Sequence, residues 1–89
     1  MKPILSIVIP TKNRYPTLIN LVEKLLDWES LDYEVVVQDN SEENTPIHEL
    51  LTRYSNDSRL KYCHNGNHVT VCQNAEDAID NSIGEYVCF

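Results

Sequence analysis

Glycine is scarce. The chain has two in 89 residues, and neither lies in Pro10-Thr11-Lys12-Asn13-Arg14, the loop that follows its first apolar run. That excludes a Gly-x-Gly-x-x-Gly dinucleotide turn and a Gly-Lys-Ser/Thr phosphate loop, both of which need backbone to approach phosphate closely. A diphosphate bound at this loop would have to be held by side chains or a metal ion. Basic residues are also few: 7 against 14 acidic, a net charge of −7. A protein that tracks nucleic-acid phosphates needs a basic face, so no nucleic-acid partner is expected. The three cysteines, Cys63, Cys72 and Cys88, are odd in number and widely spaced. They build no disulfide framework, and no disulfide partner is expected. Cys63, His64, His68 and Cys72 fit no compact zinc spacing, so reduced thiols in a cytoplasmic protein are expected instead. There is no run of ~20 apolar residues for a membrane span and no signal-peptide pattern. The run Ile4–Ile9 stops at Pro10. Finally, no polar tail follows the last apolar stretch, which reads as a truncated domain.

What is present alternates regularly. At 89 residues and 42% apolar content, the chain is one small domain, able to bury roughly 60–65% of its unfolded surface. Ile4–Ile9 is β-branched and almost continuously apolar, as in a strand covered on both faces. A helix over Pro16–Trp28 follows, with Leu18, Leu21, Val22 and Leu25 forming one stripe. Tyr33–Gln38 is the second strand, and 39–44 is a polar loop. Thr45 and Pro46 read as N-cap and first residue of a helix Pro46–Tyr54 that buries Ile47, Leu50 and Leu51. Leu60–Cys63 is a third strand, and Asn65-Gly66-Asn67 a turn. Thr70 and Gln73 have capping-box spacing for a third helix reaching Ser82, with Ala75, Ala78 and Ile79 inward. Gly84 resets the chain for a last strand, Glu85–Phe89. The order βαβαβαβ predicts an α/β fold, a parallel sheet with flanking helices and right-handed crossovers.

In open α/β sheets, ligands bind at the carboxyl ends of the strands. Here those ends carry Pro10–Arg14 and Asp39-Asn40-Ser41. Asp39 has two readings: an acceptor for ligand N–H groups, or the pivot of an Asx turn, since Asp-Asn-Ser is ordinary turn chemistry. Lys12 and Arg14 are candidates to neutralise a phosphate, against the alternative of solvated charge. Asn13 either shapes the turn or contacts ligand. Asn74, near the start of the third helix, is either a site residue or a helix-surface amide. His48, His64 and His68 have no paired acid or nucleophile and are expected at the surface. The five tyrosines are expected in packing roles.

These segments resemble a known family. Ser6-Ile-Val-Ile-Pro-Thr-Lys-Asn-Arg14 is similar to the opening strand and loop of family 2 glycosyltransferases, commonly S-V-I-I-P-T-Y-N-R. Glu34–Ser41 followed by Asn44-Thr45 resembles their second strand and D-D-G-S…N-T loop. Asn74-Ala75 with Gly84–Phe89 resembles their A-R-N…G-E-Y-I-A-F stretch. The resemblance covers nearly the whole chain. It implies the first half of a GT-A (nucleotide-diphospho-sugar transferase) fold, residues 1–89 being its nucleotide-sugar-binding part. It also implies inverting transfer of sugar from a nucleotide donor, a UDP-sugar, to an acceptor hydroxyl. Pro10 and Thr11 would line the nucleoside pocket, Asp39 would bind the base, and Asn74 would lie near the diphosphate. With Asn13 and Arg14 these form the expected nucleotide site. The family's Asp-x-Asp motif, which holds Mn or Mg, and its catalytic base would fall after Phe89. No catalytic or metal-binding residue is therefore expected among the 89, and the fragment alone should be inactive. The chain departs from the family pattern in three places. Gln38 replaces an aspartate, Asn40 a glycine, and Gln73 a basic residue, which removes one expected phosphate or base contact. The alternative function is a non-catalytic nucleotide-binding or assembly module. A phospho-acceptor receiver domain is disfavoured because the first loop lacks the acidic residues that hold magnesium. The family strand order (third, second, first, fourth) would leave the last strand at an open edge, so self-association is expected.

Overall fold

The computed structural model describes residues 3–29, 32–67, 69–84 and 86–88. Its elements are β1 (Leu5–Thr11), α1 (Tyr15–Leu26), β2 (Tyr33–Asp39), α2 (His48–Arg53), β3 (Leu60–His64), α3 (Val71–Asp80) and β4 (Tyr86–Cys88), with a 3-10 turn at Thr45–Ile47 leading into α2. The four strands form one sheet in the order β3-β2-β1-β4. All neighbours are parallel: Leu5 pairs with Tyr33 and with Tyr86, and Val35 with Leu60. This is the predicted α/β architecture.

The two faces of the sheet are unlike. Alternate residues of a strand share a face, and Tyr33, Val35 and Val37 of β2 pack with Leu18, Val22 and Leu26 of α1 and with Ile47 and Leu50. On the α3 side the buried apolar cluster is only Val8, Val36 and Ala78. The remaining buried positions there are polar. Ser6 Oγ donates to Glu34 Oε2 at 2.5 Å, and the Ile83 N–H reaches the same oxygen at 2.7 Å. Lys61 Nζ lies 3.4 Å from Glu34 Oε1. Burial pushes the Glu34 pKa up, but these hydrogen bonds and Lys61 outweigh it and hold the carboxyl below its ordinary range.

Gly84 closes this cluster. Its N–H donates to Ser6 Oγ at 2.8 Å. A Cβ at Gly84 would lie 2.6 Å from Ser6 Oγ and 2.7 Å from Ser6 N. Glycine is thus required by the close approach of β4's leading segment to β1. Among the described strands β4 is outermost, next to β1, and Tyr86 is 67% exposed. Glu85 and Phe89, expected in this strand, lie outside the described residues.

Several expected details differ. α1 begins at Tyr15 and ends at Leu26, not over Pro16–Trp28; Leu21 is exposed, and the buried stripe is Tyr15, Leu18, Val22 and Leu26. Arg59 explains the early stop. Its guanidinium donates to Leu26 O (2.9 Å), the last carbonyl of α1, and to Trp28 O beyond it, while pairing with Asp57 at 2.7 Å, so the end of α1 meets a cation. Thr45 is not an N-cap: its N–H and hydroxyl both bond the Glu43 carboxylate, and it opens the 3-10 turn instead. Leu51 is only half-buried. β3 runs one residue further, because His64 pairs with Asp39.

Thr70 does cap α3, its Oγ1 accepting the Gln73 N–H at 3.0 Å, but the Gln73 side chain turns to Asp77 (2.9 Å) rather than closing the box. α3 ends at Asp80, and its buried residues are Asn74 and Ala78, with Ala75 half-buried and Ile79 exposed. The polar face beneath sets this rotation. Asn74 Nδ2 meets Gln38 O at 3.3 Å, and Asn81 Nδ2 meets Gln38 Oε1 at 2.7 Å.

Candidate functional site

A cleft of about 540 Å³ opens at the carboxyl end of the sheet. Its walls are the loop after β1 (Pro10, Thr11, Lys12, Arg14), Asn40 after β2, and residues 69–71 with Asn74 at the start of α3. β1 delivers its loop here because Pro10 and Thr11 still pair with Gln38 and Asp39, after which the chain turns. Asn13 makes the turn with φ 57°, a left-handed conformation that asparagine tolerates better than most residues.

The loops are tied together behind the cleft. The Asn13 N–H donates to Ser41 Oγ at 2.7 Å. That hydroxyl donates in turn to Asp39 Oδ1 at 2.6 Å, and the Ser41 N–H reaches the same oxygen at 2.9 Å, an Asx turn. The second carboxylate oxygen, Oδ2, accepts from the hydroxyls of Tyr15 and Tyr62, each at 2.6 Å. Asp39 is 0% exposed. Burial pushes its pKa up, but the bonds from Ser41, Tyr15 and Tyr62 together outweigh burial and hold it below 3.8. The same contact raises the phenols: burial first, then the neighbouring carboxylate, disfavours their ionisation.

Asn40 anchors the third wall. Its N–H bonds Thr11 O at 2.9 Å, and its Nδ2 bonds the carbonyls of Asn65 and Asn67, each at 2.6 Å. His64 is exposed, as expected, yet its Nε2 donates to Ser41 O at 2.7 Å and its ring stacks on Tyr62, 6.5 Å between centroids.

Of the six predicted site residues, Pro10, Thr11, Arg14 and Asn74 line the cleft. Asn13 and Asp39 do not: they build the frame behind it. For Asp39 the turn reading describes the observed geometry, and its acceptor positions are taken by the chain itself. Lys12 and Asn40 join the lining. The hydroxyls of Tyr15 and Tyr62 are the part that sequence reasoning missed. Both were expected only to pack, and nothing local in the sequence links them to Asp39, 24 and 23 residues away.

Among the described residues the cleft offers two cations (Lys12, Arg14), two neutral amides (Asn40, Asn74), threonine hydroxyls and backbone, and no carboxylate lines it. That is a poor donor set for Mg or Mn, which favour carboxylate oxygens. Among the described residues no group of three or more His, Cys, Asp or Glu is placed to hold a metal ion. His68, one member of the dismissed zinc set, lies outside the described residues. Among the described residues no helix is long and apolar enough to cross a membrane.

Comparison with known proteins adds two findings. Residues 6–89 match the model of Glycosyl transferase family 2. The chain is also similar to GalNAc(5)-diNAcBac-PP-undecaprenol beta-1,3-glucosyltransferase of Campylobacter jejuni subsp. jejuni serotype O:2, 27% identical over 88 residues, which is 98% of this chain and 28% of that protein. The chain therefore spans less than a third of that relative's length.

Proposed function

We propose, from the premise that this chain belongs to glycosyl transferase family 2, that its cleft is the donor-binding part of a glycosyltransferase and takes a nucleoside diphosphate sugar, a UDP-sugar. The observation that carries this reading is the cleft itself. It lies where open α/β sheets bind nucleotides, and Lys12 and Arg14 meet in its wall within a chain of net charge −7. A diphosphate needs such cations where no glycine cradle exists.

Inverting transfer would join the acceptor hydroxyl oxygen to the anomeric carbon as the bond to the diphosphate breaks. The residues of this cleft bind and orient the donor, and none is a base for the hydroxyl proton. A divalent metal, Mn or Mg, and that base belong to the proposal only for a longer enzyme, on other residues. Three widely spaced cysteines, an odd number, build no disulfide framework and suit a reducing compartment, so the proposed location is cytoplasmic. The absence of any carboxylate from the cleft wall also fits a second reading, a nucleotide-binding or assembly module without catalysis.

The test is titration of the 89-residue protein with UDP, followed by amide NMR. Saturable shifts at Thr11, Arg14 and Asn74 are expected, with no turnover of a UDP-sugar. Undetectable binding at millimolar UDP would sink the donor-site reading, and turnover would refute the assignment of catalysis to other residues.

A further inference from the structure

Among the described residues, one buried side-chain oxygen or nitrogen has no hydrogen-bond partner: Asn74 Oδ1. Asn74 is 6% exposed and lines the cleft from the start of α3. Its Nδ2 is committed to the sheet, donating to Thr11 O at 3.4 Å and Gln38 O at 3.3 Å, carbonyls at the trailing ends of β1 and β2. Turning the amide over would set Oδ1 against those two carbonyl oxygens, so the sheet fixes which atom is left over. Buried polar atoms in native folds are almost always paired, and an exception at a binding cleft points to use.

The other candidate acceptor is already taken. Both Asp39 oxygens accept from Ser41, Tyr15 and Tyr62. At neutral pH a diphosphate offers oxygens that only accept, so it cannot satisfy Asn74 Oδ1. A nucleoside does offer donors, an imino N–H on the base or hydroxyls on the ribose. We infer that Asn74 reads a neutral N–H or O–H donor on the nucleoside half of a nucleoside diphosphate, while Lys12 and Arg14 take its anionic end. This rests on the donor-site reading above. It also orients the ligand, with the nucleoside against the start of α3.

The experiment compares UDP, N3-methyl-UDP, 2′-deoxy-UDP, 3′-deoxy-UDP and inorganic pyrophosphate as ligands of the wild-type chain and of Asn74→Ala. One hydrogen bond is worth about a 3- to 10-fold change in Kd. Asn74→Ala should weaken UDP by that factor and leave pyrophosphate unchanged. Against whichever analogue lacks the donor it reads, wild type and variant should bind alike; that analogue identifies base or ribose. A merely structural role would weaken every ligand equally, and that result, or no weakening at all, overturns the inference. Should Asn74→Ala not fold, the wild-type series decides: all three nucleoside analogues binding as tightly as UDP removes Asn74's role while leaving the site intact. Wild type that binds neither UDP nor pyrophosphate overturns the donor-site reading itself.

Discussion

Replacing Tyr15 and Tyr62 by phenylalanine, singly and together, tests whether the buried Asp39 carboxylate is held by its donors. Each phenol donates at 2.6 Å to the same oxygen, Oδ2. Phenylalanine keeps the ring and so most of the packing. A hydrogen bond to a charged group is worth about 1.5–3 kcal/mol, and the remaining phenol still covers Oδ2 in either single variant, so the lower end, about 1.5 kcal/mol each, is expected. The double variant leaves Oδ2 buried without a donor, and it should cost about 1–3 kcal/mol more than the sum of the singles. Those losses are large against the ~4–13 kcal/mol total expected at 0.05–0.15 kcal/mol per residue. The pH dependence follows from the same contacts. Asp39's folded pKa lies below its unfolded 3.8, so its stabilisation is complete above the unfolded value and is lost as pH falls through the folded one. Removing both phenols raises the folded value toward the unfolded one, so the acid limb of stability should shrink and finish at higher pH, while its onset near the unfolded value stays in place. Urea denaturation followed by circular dichroism, at pH 7 and in steps down to pH 3, measures both effects. Additive singles within about 0.5 kcal/mol, together with superimposed acid limbs, would refute the hydrogen-bonded carboxylate as the centre of this frame.

Two further outcomes are expected. Gly84→Ala places a Cβ 2.6 Å from Ser6 Oγ and 2.7 Å from Ser6 N, which overpacks the β1–β4 seam by about 1–3 kcal/mol. Hydrogen exchange of the Tyr86 amide, bonded to Ile4 O at 2.9 Å, should accelerate, and unchanged protection there would contradict the close approach. β4 is the outermost described strand on its side of the sheet, and a second copy of this chain pairing along it is the proposed self-association. Light scattering should show mass rising with concentration and Val87→Lys lowering it, whereas a clean monomer at high concentration refutes the pairing.

The strands were legible because the β-branched runs Ile4–Ile9 and Tyr33–Gln38 suit only a sheet covered on both sides, and alternation with helices then dictates parallel pairing. The rotation of α3 was not legible. Apolar periodicity selected Ala75 and Ile79, but the sheet face beneath carries Ser6, Glu34 and Gln38, so an amide, Asn74, outcompetes isoleucine for the buried position. The site was half legible for a related reason. Pro10, Thr11, Arg14 and Asn74 follow from strand ends and resemblance. The choice between ligand contact and turn at Asp39 depends on two tyrosines that only the finished topology brings to it.

The chain of donors Asn13 N–H, Ser41 O–H and Asp39 has a further consequence. Ser41's proton is spent on Asp39, so its oxygen can only accept, and the one backbone N–H aimed at it comes from the left-handed Asn13. Every hydrogen in that relay has a single direction, and the relay closes whether or not anything lies in front of it. The back wall is thus pre-organised, and under the proposed donor-site reading the entropy a ligand would forfeit is confined to the long side chains it would recruit, Lys12 and Arg14. Affinity for any anionic ligand should therefore be governed by how those two side chains settle, and differences between ligands should surface in dissociation rates rather than in a slow rearrangement before binding.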